Sequence, residues 1–138
     1  MIDFSTELGE RALRLLREET VIWLTTVAQD GTPQPRPVWF LWDGRSLLIY
    51  SRPKAHKIHH LEQRPQVALS FNTDPEGSEV TVLTGEGHIE RTSPPANQNL
   101  DYMRKYRQAV ADLEMTPEEF AEDYSVPVRI TPIRLRGF

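Results

Sequence analysis

Pro33, Pro35 and Pro37 fall at alternate positions of one strand-like segment, and that spacing limits what the chain can build. Backbone N–H groups of alternate strand residues point to the same side, so these prolines strip the donors from one side only. Gln34, Arg36 and Val38 keep theirs for a partner strand on the other. The segment has to be a sheet edge. Such an edge either guards against strand-to-strand aggregation or lines a gap that admits a planar ligand, and proline alone does not choose between them.

The neighbouring patterns supply a sheet for that edge. Val21 to Ala28 is β-branched and aromatic, Asp30-Gly31 suits a tight hairpin, and Pro33 to Trp42 reads as the returning strand. Asp43-Gly44 turns the chain into Ser46 to Ser51. Further strands are expected over Gln66 to Asn72, over Glu79 to Glu90 and from Val126 to Leu135, the last with a kink at Pro132. Gly85 and Gly87 inside a strand pattern suggest a bulge or a close backbone approach.

Helices are expected between and around them. Ser5 or Thr6 caps a stripe of Leu8, Ala12, Leu15 and Leu16, and Pro53 to Gln63 forms a short second helix. Leu100, Met103, Tyr106 and Val110 mark a third, and Thr116 to Glu119 is a capping box opening a fourth. Six strand candidates joined by short turns imply antiparallel pairing. The expected fold is mainly β with flanking helices (α+β), a six-stranded antiparallel barrel, with residues 1–138 as one domain.

Composition narrows the function. At 138 residues with 16 basic and 20 acidic side chains, the net charge of −4 argues against a dedicated nucleic-acid binder. No apolar run is long enough to span a bilayer. Met1 to Glu10 lacks a basic run, so no signal peptide is expected. Cysteine is absent, which removes disulfides, thiolate catalysis and Cys-based zinc sites and makes the cytoplasm the expected compartment.

Against that acidic background, Ser51-Arg52-Pro53-Lys54-Ala55-His56-Lys57 is a basic cluster at the start of a helix. The helix dipole is positive there, so the cations gain nothing locally and repel one another. They are either a solvated basic surface or a site for an anion held by free N–H groups, the Ser51 hydroxyl and Lys57. His56, His59 and His60 do not make a metal site: only His88 remains as a further imidazole, and Lys57 would repel the ion. No G-x-S-x-G elbow, dinucleotide fingerprint or phosphate loop is present. The acids from Asp112 to Asp123 read as a solvated helical face. Trp23, Trp39 and Trp42 read as packing residues, with Trp39 also placed near a ring ligand.

The stretch Gly31 to Phe71 resembles the cofactor-binding half of the pyridoxamine 5'-phosphate oxidase-like split β-barrels. The matching features are Gly-x-Pro after the first hairpin, Arg36-Pro37-Val38-Trp39-Phe40, and Tyr50-Ser51 followed by Lys57. Leu61, Pro65 and Ala68-Leu69-Ser70-Phe71 continue the pattern. The resemblance implies a homodimer with two cofactor sites at the subunit interface. It implies that Arg36 and Lys57 bind the cofactor phosphate with Ser51 beside them, and that the backbone at Pro37, Val38 and Trp39 lies against a flavin-type ring.

Leu41 stands where the oxidase motif has lysine, and its substrate-phosphate motif is not matched around Tyr102 to Gln108. The oxidase's C-terminal Arg-Leu-His-Asp is also missing, so pyridoxamine phosphate oxidation is not expected. The short length, the run Pro37-Val38-Trp39-Phe40 and the ending Arg129-Ile130-Thr131-Pro132 through Phe138 are more similar to the small deazaflavin-dependent reductases. Those use coenzyme F-420, whose longer anionic tail Arg52 and Lys54 would serve. The leading expectation is a deazaflavin-dependent oxidoreductase acting on a small conjugated substrate. The alternatives are an FMN-dependent reductase or oxidase of the same fold, and a non-catalytic carrier. No catalytic side chain is assigned.

Overall fold

A computed structural model describes residues 1–138. In chain order the elements are α1 (Glu7–Glu18), β1 (Ile22–Val27), β2 (Pro33–Val38), β3 (Leu41–Trp42), β4 (Leu47–Ser51) and α2 (His56–Gln63). There follow β5 (Gln66–Ser70), β6 (Thr81–Ile89), a 3-10 turn (Ala96–Gln98), α3 (Leu100–Asp112), α4 (Pro117–Asp123) and β7 (Val126–Gly137).

All strands join one antiparallel sheet in the order β2-β1-β5-β6-β7-β4-β3, curled into a half-barrel with helices outside. The prolines explain one edge. β2 pairs only with β1, Arg36 opposite Leu24 and Gln34 opposite Thr26, which leaves the proline side unpaired at the margin of the sheet.

The mainly-β fold with flanking helices is as expected, but there are seven strands rather than six. The expected strand Pro33 to Trp42 is two, because Trp39 and Phe40 leave the ladder. Helix α3 takes over the Phe40 peptide. The Phe40 N–H donates to the Tyr106 hydroxyl at 2.8 Å, and Lys105 Nζ donates to the Phe40 carbonyl at 2.8 Å. The Tyr106 hydroxyl also lies within donating distance of the carbonyls of Thr20 (2.7 Å) and Phe40 (2.9 Å). A buried peptide outside the sheet needs such partners.

Phe40 and Trp39 then point into different cores. Phe40 packs with Leu24, Leu69 and Ile130 inside the barrel. Trp39 packs on a second cluster of Tyr50, Tyr102, Tyr106 and Phe120 under α3 and α4.

Local signals were mostly realised as read. Thr6, not Ser5, caps α1 and accepts from Gly9 N–H at 2.9 Å. Thr116 and Glu119 complete the capping box of α4. Gly85 sits at a register shift opposite Pro132, and a Cβ there would collide with the Thr131 carbonyl oxygen. Two expectations need correction. Helix α2 begins at His56 rather than Pro53, because Arg52–Ala55 first makes a turn closed by Ala55 N–H to the Arg52 carbonyl. Leu100 is exposed, and Tyr102 takes its place in the buried face of α3. The acids of the run from Asp112 to Asp123 are all exposed.

Candidate functional site

Where β2 ends, the chain bounds a cavity of about 260 Å³. Pro37, Val38 and Trp39 form one wall, Tyr50 of β4 and Lys57 of α2 another, and Tyr102, Leu113, Phe120 and Tyr124 the helical side. The sheet supplies the first wall, β4 and the start of α2 the second, and the α3–α4 cluster the third. Aromatic packing fixes that third wall. Trp39 stacks on Tyr106 (centroids 4.8 Å, planes 4° apart) and on Phe120 (5.6 Å), and Phe120 stacks on Tyr124 (4.5 Å). The Trp39 indole is therefore anchored in the protein's own stack.

The expected site residues do not all arrive together. Pro37, Val38, Trp39 and Lys57, brought from two distant elements, line the cavity. Arg36 is exposed, donates to the Pro35 carbonyl at 2.8 Å, and lies close enough for its charge to act on Lys57. Arg52 holds its guanidinium 5.0 Å above the Tyr124 ring, beside the wall rather than in it. Ser51 is buried and its hydroxyl donates to the Arg52 carbonyl at 3.0 Å. Lys54 is exposed and is not a lining residue.

Lys57 is the one cation among the lining residues. Burial, reinforced by the Arg36 charge, holds its amine below the ordinary lysine range. Each ion pair of the protein lies elsewhere, at His88–Glu86, Arg104–Asp101 and Arg129 with Asp43 and Glu90. No side chain caps the N-terminus of α2, where Lys57 sits. A partly desolvated lysine, an arginine and an uncapped helix start, without a carboxylate among them, form a positive lobe beside an apolar cavity. That donor set fits a phosphorylated ring compound.

The histidines go elsewhere. His60 is buried and its Nδ1 shares a 2.8 Å hydrogen bond with the Thr26 hydroxyl. Burial, together with the charges of His56 and His59, lowers its pKa.

Tyr50, Tyr102, Phe120 and Tyr124 were not singled out in the sequence as site residues. Their i, i+4 spacing at Tyr102/Tyr106 and Phe120/Tyr124 was the available signal of an aromatic face. No helix is long and apolar enough to cross a membrane.

The family described as pyridoxamine 5'-phosphate oxidase matches residues 8–136 of the chain. Among solved structures, a Listeria innocua protein described as a candidate pyridoxamine 5'-phosphate oxidase superposes with a TM-score of 0.70 at 24% identity, over 96% of this chain and 98% of that one. An F-420 reductase gives 0.69 at 25% identity, over 89% and 94%. The Vibrio cholerae heme storage protein HutZ gives 0.65 at 17% identity, over 96% and 95%. These likenesses carry the split-barrel fold. No curated protein matches the chain significantly in sequence.

Proposed function

The chain belongs to the pyridoxamine 5'-phosphate oxidase family, and from that premise we propose that it is an oxidoreductase that holds coenzyme F-420 and delivers hydride to a small conjugated substrate. One observation carries the reading. Lys57, partly desolvated and without a counter-ion, faces an apolar cavity walled by Pro37, Val38 and Trp39. That combination suits a flat ring bearing an anionic tail. The family binds flavins, and the F-420 reductase at 25% identity supports the deazaflavin.

The chain's own residues do the holding. Lys57 and Arg36, with the uncapped start of α2, take the phosphate, while Ser51 is buried with its hydroxyl on the Arg52 carbonyl. The Pro37–Trp39 backbone backs the ring, and Phe120 and Tyr124 keep water from its neighbourhood. Arg52 and exposed Lys54 are available to a longer tail. The bound cofactor supplies the hydride chemistry.

FMN is the second reading. It is favoured by the fact that Lys57 alone of these cations lines the cavity, which suits a single phosphate. A cavity of about 260 Å³ is small for a whole cofactor, since ligand sites usually occupy about 300–1,000 Å³. A homodimer in which a second copy completes the site is therefore part of the proposal.

Fluorescence titration of the cofactor-free protein with coenzyme F-420 and with FMN, alongside light scattering for the dimer, tests the reading. Tighter binding of F-420 is expected. Tighter binding of FMN transfers the function to flavin chemistry, and binding of neither refutes both readings.

A further inference from the structure

Three tyrosines meet under the cavity, and they differ in what their hydroxyls do. The Tyr50 hydroxyl donates to the Pro94 carbonyl at 2.7 Å and accepts from Asn99 Nδ2 at 3.3 Å. The Tyr106 hydroxyl serves the Phe40 and Thr20 peptides. Tyr102 is only 1% exposed, yet its hydroxyl makes no hydrogen bond within the protein.

Nor is that hydroxyl sealed in. The one fully enclosed side-chain polar atom without a partner is Trp42 Nε1, so the Tyr102 oxygen must reach open space. The open space that Tyr102 lines is the cavity. Its ring cannot swing away. Tyr50 packs against it edge-on at 4.8 Å, Tyr106 lies at 4.8 Å and Phe120 at 6.2 Å. The Asn99 side chain fixes the turn that carries it by accepting from Tyr102 N–H at 3.1 Å.

A phenylalanine would fill the same apolar niche without a polar atom to satisfy, so packing does not account for the hydroxyl. We propose that the Tyr102 hydroxyl is a ligand-binding group, donating a hydrogen bond to a carbonyl oxygen or ring nitrogen of the planar cofactor that fills the cavity. The proposal rests on the cofactor reading above and adds a selectivity to it: ring compounds that offer an acceptor at this point are preferred over those that do not. Burial raises the phenol pKa well above its ordinary value, so the group remains a donor across the working pH range and never a base.

Tyr102→Phe is the test, with Tyr106→Phe as the control for a hydroxyl that serves the protein. Melting temperature without ligand, and FMN and F-420 titrations, are measured on each. The expected result is an unchanged or raised melting temperature for Tyr102→Phe with affinity lowered about tenfold, the equivalent of one lost hydrogen bond. The visible band of bound FMN should also move relative to wild type. Tyr106→Phe should instead melt lower. Unchanged affinity and spectrum in Tyr102→Phe would overturn the proposal while leaving the cofactor reading intact. A Tyr102→Phe protein that melts lower like the control, or fails to fold, would overturn it too, because the hydroxyl would then have a role inside the protein. If the wild type binds neither compound, the cofactor reading and this proposal fall together.

Discussion

Replacing Lys57 with methionine should weaken anion binding without weakening the fold. The amine sits partly desolvated beside Arg36, with no carboxylate to offset either cost. Methionine keeps most of the stem's packing and removes the repulsion, so the ligand-free protein should melt at the same temperature or higher. A hydrogen bond to a charged group contributes about 1.5–3 kcal/mol. Because Lys57 is only partly buried, the lower part of that range applies, about 1.5–2 kcal/mol or a loss of about 10–30-fold in affinity for FMN. The wild-type pH profile follows from the lowered lysine pKa. Affinity should hold while Lys57 is protonated and fall as pH rises through that lowered value, below the ordinary 10.5. The Lys57→Met profile should be flat over the same range. Titrations across pH together with thermal melts decide the matter. Undiminished affinity, or a lowered melting temperature with normal affinity, would refute the anion site.

The buried His60 should make the fold acid-sensitive. Its folded pKa lies below the ordinary 6.5, so the unfolded chain binds its proton first and stability falls as pH drops from about 6.5 toward the folded value; melts from pH 7 to 5 should show this, and less of it in His60→Gln. Gly85→Ala should cost about 1–3 kcal/mol or more in urea unfolding, since the new Cβ meets the Thr131 carbonyl backbone. Thr116→Ala removes one half of the α4 capping box and should cost about 1 kcal/mol in the same assay.

What the sequence disclosed and what it hid separate by range. Features set within a few residues were legible: Thr6 as a cap, the Thr116–Glu119 box, the turns at Gly31 and Gly44, and the proline edge. The bulge at Gly85 was legible because glycine in a strand needs a reason. The break between β2 and β3 was not, because its cause lies far along the chain: Tyr106 and Lys105 capture the Phe40 peptide. No local pattern in Pro33 to Trp42 announces that. The same holds at the site. Lys57 stood out in a basic cluster of an acidic chain and Arg36 through the family resemblance, whereas the aromatic wall from α3 and α4 becomes part of the cavity only through tertiary packing.

β2 and β3 are the two outermost strands of the sheet, yet only Trp39 and Phe40 separate them in the chain. The curled sheet is thus a strip with its opposite margins tethered by a dipeptide. Three peptide steps, from Val38 to Leu41, reach no further than about 11 Å when fully extended. At that end the margins cannot part beyond this limit, however large the guest. A molecule broader than the tether allows must lie along the gap, with its long axis running away from Trp39.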